Sequence, residues 1–83
     1  MKLDNEITLA TREERTAYCK RVLSKLSRVH QGEVSASDLM FMAMVGVEES
    51  LYEKLFKRPW EPKKRTILRL HQIDNAVFKP LGL

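Results

Sequence analysis

Ser37-Asp38-Leu39-Met40-Phe41-Met42-Ala43-Met44-Val45-Gly46-Val47-Glu48-Glu49-Ser50-Leu51-Tyr52-Glu53-Lys54-Leu55-Phe56 contains the longest apolar run of the chain, Leu39 to Val47, and how it folds sets everything around it. By periodicity alone, residues 39 to 45 fit a buried strand as well as a buried helix, because nothing in them alternates. Composition favours a helix. Leu, Met and Ala are good helix formers, only Val45 is β-branched, and Ser35 or Ser37 caps the start with Asp38 in the first turn. Gly46 then interrupts, and Val47-Glu48-Glu49 opens a second helix whose early acids suit the N-terminal dipole. Val47, Leu51, Leu55, Tyr52 and Phe56 form its apolar side, and Pro59 stops it.

Outward from this segment, Thr11 and Glu14 have the spacing of a capping box, so a helix begins at Arg12. Tyr18, Val22, Leu26 and Val29 recur at helical steps, with Lys20, Arg21, Lys25 and Arg28 giving a basic side. Gly32 offers a left-handed stop. On the other side, Arg58-Pro59-Trp60-Glu61-Pro62 is a stiff connector in which Trp60 anchors the loop on the core. Pro62 suits the first position of a last helix, in which Ile67, Leu70, Ile73 and Val77 share a face and after which Phe78 tucks back. The expectation is an all-α four-to-five-helix bundle with a helix-turn-helix core at about 37–58, in one domain spanning 11–83. Residues 1–10 form a flexible arm.

Eighty-three residues support a single core, and 43% apolar with 31% charged residues describe a folding chain rather than a disordered one. The apolar run is far short of the about 20 residues of a membrane span, and Met1 to Ala10 has no secretory leader pattern, so the cytoplasm is the expected compartment. Cys19, the only cysteine, reads as a small buried hydrophobe. One cysteine with the separated His30 and His71 misses every zinc spacing, and no phosphate-cradling glycine loop or nucleophile elbow is present. No enzyme activity, metal or cofactor is expected. The net charge of +4 hides a −5 segment at 32–53 followed by a +6 segment at 54–83.

Two short helices joined at Gly46-Val47, the second running into a basic stretch, have the arrangement of a helix-turn-helix. With the basic loop and Lys63-Lys64-Arg65-Thr66-Ile67-Leu68-Arg69-Leu70 beyond it, the chain from Ser37 to Ile73 resembles the Cro and lambda-repressor-like helix-turn-helix family. That resemblance implies a small phage-type regulator that represses by occupying double-stranded DNA as a homodimer. It implies base reading by Glu49, Ser50, Glu53 and Lys54, and phosphate contacts from Lys57, Arg58, Lys63, Lys64, Arg65 and Arg69. Charge density supports the second group independently, since from Lys54 to Arg69 the only acid is Glu61.

Two features point elsewhere. Glu48, Glu49 and Glu53 put carboxylates on the helix that would face a polyanion. Met40, Met42 and Met44 fill a core or form an adaptable dimer or partner surface, and a helix apolar on every side cannot be wholly covered within a small monomer. The alternative is therefore a helical protein–protein interaction module, such as a phage-encoded inhibitor of a host protein.

Overall fold

The capping box at Thr11 forms as its spacing predicts: the Glu14 amide donates to Thr11 Oγ1 at 3.1 Å, and the Thr11 amide donates to Glu14 Oε1 at 3.0 Å. In a computed structural model that describes residues 1–3 and 8–83, this cap opens α1, Arg12–Lys25. A 3₁₀ turn at Leu26–Arg28 follows, so the helix ends earlier than its apolar periodicity reaches. Gly32 is not a left-handed stop. It lies in a second 3₁₀ turn, Gln31–Glu33, and among the described residues the positive-φ glycine is Gly82.

The principal departure from the sequence reading is α2, a continuous helix from Ala36 to Phe56. Ser35 caps it, accepting from the Asp38 amide at 3.3 Å. The helix runs straight through Gly46, so there is no turn between residues 45 and 48 and no helix-turn-helix at 37–58. One glycine costs a helix about 1 kcal/mol relative to alanine, too little to break a segment flanked by Met, Ala, Leu and Glu on both sides. Instead the helix stops at Lys57, which adopts a left-handed conformation (φ 55°) and donates its amide to the Glu53 carbonyl. Fusing the two expected helices leaves three α-helices among the described residues, not a four-to-five-helix bundle.

The third helix, α3, spans Lys64–Ile73 with Lys63 as its N-cap, so Lys64 and not Pro62 takes the first helical position. The chain then widens into a π turn, Asp74–Phe78, and closes with a 3₁₀ turn, Lys79–Leu81. The α3 helix packs against both α1 and α2. The core joins Tyr18, Cys19 and Val22 of α1 to Met42 and Val45 of α2 and to Ile67, Leu70 and Ile73 of α3, with Trp60 and Phe78 closing its ends. Trp60 and Phe78 are both fully buried, as the loop-anchor and tuck-back readings expected. Burial pushes the Cys19 thiol up to about 12, consistent with its role as a small hydrophobe.

The expected N-terminal arm is docked where it is described. Leu3 and Leu9 enter the core, and Met1 and Leu9 exchange backbone hydrogen bonds of 2.7 and 2.8 Å. Two buried leucines hold these residues, whereas the part of the expectation that falls on residues 4–7 lies outside the described residues.

Between α1 and the π turn lies a small polar network. Lys25 Nζ donates to Asp74 Oδ1 at 2.6 Å, both side chains nearly buried. Tyr18 Oη and His71 Nδ1 share a hydrogen bond of 2.7 Å, and Asn75 reaches His71 Nε2 at 3.1 Å. Burial, then the Asp74 charge, raise the Tyr18 hydroxyl to about 12. Largely buried, with Asn75 at its solvent edge, these groups tie α3 and the π turn to α1.

A continuous α2 makes a direct prediction at Gly46. A Cβ built there meets no atom within 4 Å. Gly46→Ala should therefore raise the unfolding free energy by about 0.5–1 kcal/mol in urea denaturation. A turn glycine with positive φ would give a loss instead.

Candidate partner-binding surface

Helical geometry places Glu49 and Glu53 on the side of α2 opposite its outward apolar residues, whereas Glu48, exposed, lies beside Met44 and Val47. Glu49 and Glu53 lie four residues apart and face α1, where Lys20 Nζ sits 3.7 Å from Glu49 Oε1 and 3.1 Å from Glu53 Oε2. Glu53 Oε2 also accepts the Trp60 amide at 2.8 Å. One turn earlier, Glu48 Oε1 accepts the Trp60 indole N–H at 3.3 Å, and the Trp60 carbonyl accepts from Thr16 Oγ1 at 2.9 Å. Loop, α1 and α2 are thus tied at one tryptophan. The hydrogen bond from the Trp60 amide, then that from Lys20, hold the Glu53 carboxyl below its ordinary range.

With Glu49 and Glu53 turned toward α1, α2 presents Met40, Met44, Val47, Leu51 and Leu55 to solvent. They recur at steps of three and four residues, and each is between 51% and 70% exposed. The row runs over about 22 Å at 1.5 Å per residue. Met42, two residues from either neighbour, points the other way and is buried at 1%. Of the three methionines expected to form a partner surface, Met40 and Met44 do lie outside, whereas Met42 is core. Val47, Leu51 and Leu55, expected to cover the interior, lie outside instead. Nothing in the residues marks that side as outward except their spacing with Met40 and Met44, and that spacing is legible only once residue 46 is read as helical.

The other expected site residues separate into two groups. Glu49 and Glu53 are engaged with α1, as described, while Ser50 and Lys54 are exposed. Lys57, Arg58, Lys63, Lys64, Arg65 and Arg69 are all exposed. Arg58 lies over the rings of Tyr52 and Phe56, at 5.9 and 5.8 Å from their centroids. Arg69 stacks 4.3 Å above Phe41 and approaches Asp38 at 3.8 Å. Lys63, Lys64 and Arg65 surround the first turn of α3, whose dipole disfavours cations and which has no acid of its own.

Between α2 and α3 runs a groove of about 730 Å³. Phe41, Met44 and Val47 make its apolar wall, and Lys63, Arg65 and Arg69 make its basic wall. No family model, curated protein or solved structure matches this chain. The surface is therefore interpreted from its own chemistry. Among the described residues there is no cluster of histidine, cysteine and carboxylate side chains able to hold a metal ion, and no helix long and apolar enough to cross a membrane.

The Glu53 clamp makes stability pH-dependent in a known direction. A carboxyl whose folded pKa is depressed stabilises the fold above its ordinary value of 4.5, and that contribution is lost as pH falls through the lower, folded value. The wild type should lose melting temperature on acidification below about pH 4.5 more steeply than Glu53→Gln, which keeps an acceptor for the Trp60 amide but does not titrate. Parallel slopes in thermal melts from pH 6 down to about pH 3 would count against the clamp.

Proposed function

We propose that this protein is a helical protein–protein interaction module that presents the outer face of α2 to another protein. One observation carries this reading: the continuous row Met40, Met44, Val47, Leu51 and Leu55, more than half exposed along the whole helix. Contiguous apolar surface of this kind on a small soluble domain marks an interaction site more often than scattered leucines do. Partner helices are commonly held through residues at such three- and four-residue steps. Unbranched methionines at one end let the surface adapt to what it meets.

Magnitude limits what the row can do alone. Completing the burial of its half-exposed side chains is worth roughly 5–9 kcal/mol gross, taking about 1.5–3 kcal/mol for each fully buried one. Association itself costs about 4–15 kcal/mol. The apolar row alone does no better than roughly balance that cost, so charges beside it have to add strength as well as selectivity.

Binding of double-stranded DNA is the second reading. It is favoured by the exposed basic run from Lys57 to Arg69, in which phosphate contacts would come from Lys63, Lys64 and Arg65. Its weakness is mechanical. A recognition helix free to enter the major groove, as in Cro-like regulators, would require α2 to break at Gly46 and Glu49 and Glu53 to leave Lys20.

Leu51→Glu, at an exposed position, separates these readings with Arg28→Glu as a surface control. Affinity capture on the purified protein, from nuclease-treated extract of the cell that makes it, should retain a partner with the wild type and Arg28→Glu. Capture should fall at least tenfold with Leu51→Glu, whose helical circular dichroism stays unchanged. If Leu51→Glu alters neither capture nor the sedimentation behaviour of the protein, the interaction reading fails. Salt-sensitive gel retardation of duplex DNA that Leu51→Glu leaves intact, and that Lys63→Glu with Arg65→Glu abolishes, would install the DNA reading in its place.

A further inference from the structure

We infer that the occupant of the α2–α3 groove is an acidic amphipathic helix of another protein, its apolar side laid on the Met40–Leu55 row and its carboxylates facing Lys54, Lys63 and Arg65. This rests on the interaction reading above and adds the chemistry of the partner.

Charge complementarity carries it. Lys63 and Arg65 form the basic wall of the groove directly opposite Met44 and Val47. Neither makes an ion pair among the described residues, and nor does Lys54, one residue before Leu55 in the last turn of α2. Arg69 is partly satisfied by Asp38 and Phe41. Glu48 is the acid of the groove lining, and its carboxylate is engaged with the Trp60 indole. The apolar row therefore has unpaired cations on both sides, and Glu48, exposed and hydrogen-bonded to the indole, is the one carboxylate of the groove lining against Lys63, Arg65 and Arg69. An acidic helix would pair those cations and also relieve the unfavourable positive charge at the start of α3.

A second copy of this chain fits less well. It would bring the same cations and a net charge of +4 to an interface already basic. Of the acids of its own α2, Glu49 and Glu53 are held by Lys20 on the far side of the helix, which leaves Glu48 alone to meet those cations. Like charges brought together across an interface select against that pairing. The row length of about 22 Å corresponds to a partner helix of about four turns.

The test uses the full chain and two synthetic helical peptides of about 18 residues. Both carry leucine at three- and four-residue steps on one side. One is flanked by glutamates and the other by lysines. Fluorescence anisotropy should show the glutamate peptide binding at least tenfold more tightly than the lysine peptide, with affinity falling as salt rises from about 50 to about 500 mM. Leu51→Glu should abolish that binding. Lys63→Glu with Arg65→Glu should reverse the preference, an outcome that simple unfolding cannot produce. Equal binding of the two peptides, or no binding of the glutamate peptide at about 100 µM, overturns the inference. So does a homodimer in sedimentation equilibrium that Leu51→Glu dissolves; the α2 face would then remain an interaction surface whose partner is a second copy. Anionic phospholipid vesicles, retained by the wild type and released by Leu51→Glu, would overturn both this inference and the protein-partner reading.

Discussion

The orientation of α2 depends on what its carboxylates hold. Glu53 binds the Trp60 backbone amide and the Lys20 ammonium together, and Glu48 binds the same tryptophan through its indole. A helix fixed by one side has no freedom to choose what it shows on the other. Because Glu49 and Glu53 stand on α1, the residues half a turn away stand in solvent. The exposed row is thus a consequence of the clamp rather than an independent feature. The ion pairs in the clamp are partly solvated and individually weak. Their importance is geometric, since they choose which of two apolar sides of α2 enters the core.

A second anchor, at the other end of the domain, uses burial in place of exposure. Lys25 and Asp74 form an ion pair with little access to water, and Tyr18, His71 and Asn75 link α1 to the junction of α3 with the π turn. Every buried side-chain donor and acceptor among the described residues has a partner. Such a network adds little net stability over well-packed apolar residues, and its contribution is to a single register of packing. The one-residue widening at Asp74–Phe78 fits this role, placing Asp74 toward Lys25 while Phe78 turns into the core. Both anchors start from α1: Lys20 holds α2, while Tyr18 and Lys25 hold the end of α3 and the π turn, and the groove runs between the two elements so held.

Much of this architecture is legible in the residues. The Thr11–Glu14 cap, the Ser35 cap, the Ile67-Leu70-Ile73 face and the anchoring of Trp60 follow from local rules that operate within one or two turns. Gly46 is the instructive failure. Glycine is favoured in turns and tolerated in helices, and the sequence around it is compatible with both. Reading it as a turn split one helix into two, suggested a helix-turn-helix, and assigned Val47, Leu51 and Leu55 to the interior. The segment charge profile, by contrast, was sound but ambiguous. A block of −5 before a block of +6 says nothing about which acids face inward.

The sequence by itself determined an all-α chain, the N-terminal caps of α1 and α2, the two-proline connector and a basic segment from Lys54 to Arg69, because each depends on neighbours close along the chain. Only the tertiary structure decided that α2 is unbroken, that Glu49 and Glu53 serve α1, that Met42 is core while Met40 and Met44 are surface, and that the apolar row adjoins the cations of α3. The physical reason is that α2 has apolar residues on more than one side. Periodicity cannot rank such sides. The choice is made by Lys20, 33 residues before Glu53, and by Trp60 in the loop folded back beyond the helix end, whose pairing with Glu48, Glu49 and Glu53 leaves the remaining side to face outward.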